Sequence, residues 1–318
     1  MTTKLAPILS VVVPVYNESA GLLAFHNALL RVVERVYPQA YEIIYCDDGS
    51  RDGSAALIKT FQKHNPRIVL LKLSRNFGKE IATTAGIDHA TGRAVITLDA
   101  DGQHPVDLIP EFIERWRAGS RVVIGLRTAN QREGVVKRLG SKLFYRVFSR
   151  LTGLKLVAGS TDFRLIDAAV QREFMRMTER NRITRGLIDW LGYERAYIEF
   201  VANPRLAGEA GYSFQKLFKL AIDSMVSMSI SPLYITAYIG VVILPAAVLI
   251  GIGMLANLLL HDPVHLRATG SAYVMVLLLF LVGVLLVSQG IIGLYLSHIH
   301  TETQNRPLYV IDQATADV

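Results

Sequence analysis

Two long stretches without a single Asp, Glu, Lys or Arg constrain this chain most: Leu233–Leu260 and Ser271–Ile299. A helix needs about 20 apolar residues to cross the roughly 30 Å hydrocarbon core of a bilayer, and each stretch supplies them. The linker His261–Gly270 is short and carries only Asp262 and Arg267 as charges. The pattern predicts a two-helix transmembrane hairpin, residues 233–260 and 271–299, with both ends on one side of the membrane. Pro245 is expected to kink the first helix, and Gly283, Gly290 and Gly293 to give the second a close-packing face. Lys216, Lys219 and Arg306 flank the hairpin, so the positive-inside rule puts that side in the cytoplasm.

The front of the chain reads differently. Hydrophobic residues make up 51% of 318, but most of the excess lies after Leu233. Ahead of it, strand and helix patterns alternate. Ile8–Val13, Glu42–Cys46, Ile68–Leu73, Ala94–Leu98 and Arg121–Gly125 read as strands. Ala20–Val36, Ser54–His64, Lys79–Ala90 and Leu108–Ala118 read as helices. Such alternation predicts an α/β domain, residues 1–212, built on a mostly parallel sheet with helices on both faces. Ligands of such sheets bind beyond the carboxyl ends of the strands. Ile8–Val13 is too short for the core of a signal peptide. Cys46 is the only cysteine, which excludes an intrachain disulfide and fits a reducing compartment.

Formal net charge is +7, which points to an anionic partner. In Gly134–Leu151, Arg138, Lys142, Arg146 and Arg150 recur every fourth residue beside Leu139, Leu143, Val147 and Leu151. This reads as a basic amphipathic helix, residues 134–151, lying on an anionic membrane surface. Residues 213–232 mix Phe214, Leu217, Phe218 and Met225 with the two lysines and read as an interfacial segment. Residues 300–318 are left as a cytoplasmic tail. No stacking-aromatic motif accompanies the charge, so a nucleic-acid partner is not expected.

The chemistry gathers at strand ends. Asp99-Ala100-Asp101 follows an apolar strand, and alternate residues of an extended segment point the same way. Two carboxylates so placed can hold a hard divalent cation, Mg²⁺ or Mn²⁺, which retains waters and substrate phosphates as further ligands. Two more blocks lie at strand ends: Val11-Val12-Val13-Pro14-Val15-Tyr16-Asn17-Glu18 and Asp47-Asp48-Gly49-Ser50-Arg51-Asp52-Gly53-Ser54. Asp47 can accept from a base N–H and Glu18 from ribose hydroxyls. Asp52 or Ser54 can also cap the helix that follows. No Gly-x-Gly-x-x-Gly follows the first strand, which argues against a dinucleotide oxidoreductase.

Together these blocks resemble family 2 glycosyltransferases of the GT-A fold. Asn76-Phe77-Gly78-Lys79, Val123-Ile124-Gly125-Leu126-Arg127 and Asp162-Phe163-Arg164-Leu165 resemble the dolichol-phosphate mannose synthase branch. With the apolar tail, the likeness extends to bacterial polyprenyl-phosphate glycosyltransferases, which load glucose or related sugars onto undecaprenyl phosphate. The resemblance covers roughly residues 10–307. It implies a multi-pass enzyme of the inner or plasma membrane with a cytoplasmic catalytic domain. The donor it implies is a nucleotide-sugar, a UDP-sugar foremost with GDP-mannose as the alternative, and the acceptor a polyprenyl phosphate. It further implies inversion at the anomeric carbon and admits a homo-oligomer.

The resemblance also assigns roles. Pro14, Tyr16 and Glu18 frame the nucleoside and Asp47 contacts the base. Asp99 and Asp101 face the metal and diphosphate, with Gln103 a further ligand. Asp162 takes the position of the proposed catalytic carboxylate. Arg127, with Lys137 or Arg138, meets the acceptor phosphate. Arg205 belongs to the loop that closes over the phosphates. Two departures stand out. The closing loop reads Gly208-Glu209-Ala210-Gly211-Tyr212-Ser213, without the hydroxyl and lysine common there, and Gly102 stands where leucine is common. The glycine is expected to loosen its turn. A processive polysaccharide synthase would carry Gln-x-x-Arg-Trp, but Phe112 precedes Arg115-Trp116 here. A non-catalytic adaptor on a transferase fold has only the altered loop in its favour.

Overall fold

The structure, a computed structural model, describes residues 6–128, 157, 159–180, 182–204 and 270–312, with isolated helical positions between 233 and 256. By contact the chain divides into two units. The first is Met1–Ser149, Leu154–Gly211 and Arg306–Val318; the second is Arg150–Gly153 and Tyr212–Asn305.

The first unit is a seven-stranded sheet. In chain order it contains β1 (Leu9–Val15), α1 (Ser19–Val36), β2 (Tyr41–Asp47), α2 (Ser54–His64), β3 (Ile68–Lys72), α3 (Lys79–His89) and β4 (Ala94–Thr97). After a 3₁₀ turn at Val106–Leu108 come α4 (Ile109–Arg117), β5 (Val122–Arg127), β6 (Ser160–Asp167), α5 (Ala168–Arg176), α6 (Thr184–Trp190) and β7 (Arg195–Phe200). Strand order is β3-β2-β1-β4-β6-β5-β7. The first four strands run parallel, whereas β6 lies antiparallel between β4 and β5. The expected mostly parallel α/β sheet is present. β6 and β7 were not expected as strands.

Why β1 forms a central strand follows from its side chains. Val11 and Val13 pack with Ile43, Tyr45 and the α1 residues Leu22, Phe25 and Leu29. Val12 points to the other face, among Ile44, Cys46 and the α3 residues Ala82 and Ala85. A strand buried on both faces reads as a continuous apolar run rather than an alternating one. α3 lies close to the sheet because Gly86 permits it: a Cβ there would stand 2.3 Å from Val12 Cγ1 and 2.7 Å from Cys46 Sγ. Asp167 ends β6 and caps α5, accepting from Ala169 N–H at 2.8 Å and from Trp116 Nε1 at 2.8 Å. Trp116 therefore serves the fold here.

Residues up to Asp312 return to the sheet. Leu73 bridges Ile311 in antiparallel sense, and Lys72 Nζ is 2.9 Å from Asp312 Oδ2. In the second unit, α7 (Gly270–Thr303) is one continuous helix. Its segment Phe280–Thr303 is long and apolar enough to cross a membrane, and it is the one helix of that kind among the described residues. Leu285, Leu286, Val287 and Leu296 are all exposed on it. The expected first span lies mostly outside the described residues, so one candidate span stands where a hairpin was expected. The basic helix 134–151 and the interfacial segment 213–232 also lie outside the described residues.

Candidate active site

β1, β2 and β4 are parallel, so their carboxyl ends share one edge of the sheet. Val15 leads into Tyr16-Asn17-Glu18, Asp47 opens the second acidic loop, and Thr97 leads into Leu98 and Asp99. Three blocks far apart in sequence thus meet because of strand direction alone.

The first two blocks are tied to each other by hydrogen bonds. Ser50 Oγ accepts from Asn17 N–H at 3.0 Å, Ser54 Oγ from Glu18 N–H at 3.0 Å, and Asp52 Oδ2 from Ser19 N–H at 2.9 Å. These bonds satisfy the orphan donors that open α1. Asp52 and Ser54 therefore cap α1 across the loop. The expectation that they cap α2 holds for Asp52: its Oδ1 also accepts the N–H of Ser54, the first residue of α2, at 3.0 Å, although Gly53 is the N-cap residue. Burial opposes the charge of Asp52, but hydrogen bonds from the Ser54 hydroxyl and from the N–H groups of Ser19 and Ser54 pull its carboxyl down to about 2.

Asp47 and Asp48 divide the work. Asp48 accepts from the N–H groups of Phe77 and Gly78 at 2.7 and 2.9 Å, which fixes the loop ahead of α3. Asp47 is fully buried. Its Oδ1 takes Ser50 N–H at 3.3 Å, and its Oδ2 has no hydrogen-bond partner among the described residues. Burial raises its carboxyl, offset in part by Ser50 and by Lys72. An unpaired buried acceptor costs about 1–3 kcal/mol, so this oxygen suits a donor brought by a ligand. Tyr16 is exposed, and Pro14 and Glu18 are half-buried at the same rim.

The third block is built around Asp99. His104, buried and stacked on Phe163, accepts Asp99 N–H on Nδ1 at 3.1 Å, and burial lowers its basicity. Asp101 Oδ1 accepts Gln103 N–H at 3.0 Å, and Gln103 O accepts Asn203 N–H at 3.1 Å. Gly102 has φ +76°, a left-handed conformation that leucine would adopt only under strain. The expected loosening is thus a tight turn that glycine fits. Among the described residues no cluster of three acidic, His or Cys groups could hold a metal. The pair Asp99 and Asp101 still fits a hard divalent cation, because Mg²⁺ is commonly bound by one or two carboxylates completed by substrate phosphates.

Antiparallel β6 brings in Asp162. At the end of β4 Thr97 pairs with Arg164, and Thr97 Oγ1 donates to Asp162 O at 2.6 Å. Lys79 lies between the two carboxylates, with Nζ 2.7 Å from Asp99 Oδ1 and 2.8 Å from Asp162 Oδ2. Arg185 Nε is 3.4 Å from Asp162 Oδ1. Burial opposes the charge of Asp162, yet Lys79 and Arg185 hold its carboxyl well below the usual range. Beneath it, Arg164 is buried, with Nη1 3.0 Å from Asp189 Oδ1 and Nη2 2.6 Å from Ser160 Oγ. Arg127 is exposed at the end of β5, on the same edge, its N–H donating to Gly159 O at 2.8 Å. Lys137, Arg138 and Arg205 lie outside the described residues.

The expected site thus gathers Pro14, Tyr16, Glu18, Asp47, Asp99, Asp101, Gln103, Arg127 and Asp162 at one edge. Sequence reasoning missed Lys79 and Arg185 as site residues. Lys79 was visible as the end of Asn76-Phe77-Gly78-Lys79; no signal marked Arg185.

Residues 10–174 match the family model described as glycosyl transferase family 2, and the chain belongs to that family. An uncharacterised glycosyltransferase of Synechocystis sp. is 38% identical over 304 residues, 95% of this chain and 94% of that one. A prophage-derived bactoprenol glucosyl transferase of Shigella flexneri is 34% identical over 307 residues, 96% of this chain and 98% of that one. Among solved structures, mannosyl-3-phosphoglycerate synthase from Rubrobacter xylanophilus covers 70% of this chain and 72% of its own. Its TM-score is 0.45 and its identity 18%.

Proposed function

We propose that this enzyme transfers a hexose, glucose foremost, from a UDP-sugar to the phosphate of undecaprenyl phosphate at the cytoplasmic face of the membrane. The observation that carries the reading is the meeting of Asp99, Asp101 and Asp162 at the edge where Asp47 leaves a buried acceptor open. Near-full-length relatives named bactoprenol glucosyl transferases favour glucose and this lipid. The apolar α7 supports a membrane location, and the hairpin of residues 233–299 completes the proposed two-span anchor.

In this reading Asp47 Oδ2 accepts from the base and Glu18 from the ribose. Pro14 and Tyr16 border the nucleoside. Asp99 and Asp101, with Gln103, would hold Mg²⁺ or Mn²⁺, which when bound neutralises charge on the departing diphosphate. Arg127, with Lys137, Arg138 and Arg205, receives the acceptor phosphate. A phosphate monoester has a second pKa of about 6, so the acceptor is largely dianionic at neutral pH and needs little base catalysis. Asp162, already engaged by Lys79 and Arg185, orients and tunes charge rather than taking a proton. Direct in-line displacement then inverts the anomeric centre.

Transfer from radiolabelled UDP- and GDP-sugars to undecaprenyl phosphate, with purified protein in detergent and Mg²⁺ or Mn²⁺, tests this. Labelled lipid from UDP-glucose is the expected product; none from any donor overturns the reading. Asp101→Ala should lose at least about 1,000-fold in turnover, and Asp162→Asn only about 10- to 100-fold. Equal losses would sink the role given to Asp162.

A further inference from the structure

We propose that Lys79 is a positioning residue for this reaction: its ammonium couples the metal pair to Asp162 and sets the gap in which the sugar is transferred. The inference rests on the transfer proposed above and on how the fold holds Lys79. Asp99, two residues past the end of β4, and Asp162 of β6 both lie within ion-pair reach of one ammonium. Two carboxylates held this near one another repel. A cation between them removes that repulsion, and Lys79 Nζ reaches both carboxylates, at 2.7 and 2.8 Å.

The backbone that carries Lys79 is held on every side. Asp48 fixes the N–H groups of Phe77 and Gly78. Gly86 seats the same helix against β1 and β2. The adjacent Glu80 accepts Thr184 N–H at 2.9 Å and so anchors the start of α6. That helix carries Arg185, the second cation on Asp162, and Arg164 secures it further through Arg185 O at 3.3 Å and Asp189. The first turn of α3 therefore places both cations on Asp162, one by its own side chain and one through α6. A lysine that only solvated a helix end would need none of this.

A fixed ammonium beside Asp99 also lowers the affinity of that carboxylate for a divalent cation, since the two positive charges compete. Removing it should tighten metal binding while slowing transfer, a pairing that a purely structural lysine does not produce. Lys79→Met should bind Mn²⁺ alone about threefold more tightly or better, read from the loss of the free-ion electron paramagnetic resonance signal. Its kcat should fall about 100-fold with the donor KM within about threefold of wild type. Lys79→Arg, which keeps the charge, should recover kcat to within about tenfold of wild type. Thermal unfolding of Lys79→Gln checks that the fold survives loss of the charge.

Unchanged or weaker Mn²⁺ binding by both Lys79→Met and Lys79→Gln overturns the proposal. So does a kcat of either within about threefold of wild type, or an Arg variant as slow as the Met one. If wild type labels no lipid from any donor, the proposed transfer fails, and the Mn²⁺ measurement still decides the place of Lys79.

Discussion

His26 shows how one side chain can tie stability to pH. It is buried on α1, stacked on Phe61 at 3.8 Å, with Nδ1 2.9 Å from Tyr45 Oη. Burial lowers its pKa to about 4 from an ordinary 6.5. The folded state then binds fewer protons than the unfolded one. Stability is complete above about pH 6.5 and is lost as pH falls towards 4, by about 3 kcal/mol in all. The thermal midpoint should therefore drop by about 5–10 °C over that window, and His26→Gln should flatten the drop. A variant as pH-sensitive as wild type would show that other groups govern it. Asp47 and Asp48 carry a related lesson. Adjacent, identical and both buried, they differ only in that Asp48 is saturated by backbone donors and Asp47 is not. Sequence could mark the pair, but only the neighbouring loop decides which of the two is left for a ligand.

Among the elements, α3 matters most to the site, because its first turn holds Lys79 and Glu80 and its middle touches the sheet. Gly86→Ala would drive a methyl into Val12 and Cys46, both buried. Overpacking of this kind costs about 1–3 kcal/mol. The expected result is a lower thermal midpoint together with slower transfer, since a displaced α3 carries Lys79 off the Asp99–Asp162 pair. A midpoint equal to wild type would mean that α3 has slack against the sheet. Helical spacing alone made this element legible, Lys79–Ala90 against the observed Lys79–His89, and α2 was read to its ends. β6 escaped detection because its alternation, Phe163 and Leu165 with Asp162 and Arg164, lasts only four residues before Ile166 and Asp167 interrupt it. Arg164 is nonetheless buried, paid for by its bonds to Asp189, Ser160 and the backbone, and no local pattern encodes that compensation.

At the scale of the molecule, the C-terminal residues close an edge of the sheet. β3 is the outermost strand there, and an unpaired edge invites association with other chains. Ser74 N–H donates to Val310 O and Asp312 N–H to Lys72 O, each at 2.8 Å, while Tyr309 and Ile311 pack on the core. Ending the chain after Pro307 should lower the thermal midpoint of the catalytic unit by about 3–6 °C and raise light scattering on heating. No change in either would show that the edge is protected without the tail. In sequence the tail reads only as a cytoplasmic extension; Leu308-Tyr309-Val310-Ile311 is an apolar run, but nothing in it names a strand partner more than 200 residues away.

The sequence by itself determined the alternation of strand and helix, the apolar length of α7, the family, and which carboxylates lie at strand ends. Those are consequences of short-range periodicity and of side-chain chemistry, which a single chain displays without folding. Only the tertiary structure decided that β6 enters the sheet antiparallel beside β4, that Asp52 and Ser54 cap the neighbouring helix, and that Lys79 and Arg185 converge on Asp162. Each depends on strand order and register. These are set by pairing and packing energies summed over distant segments, so no local stretch of the chain records them.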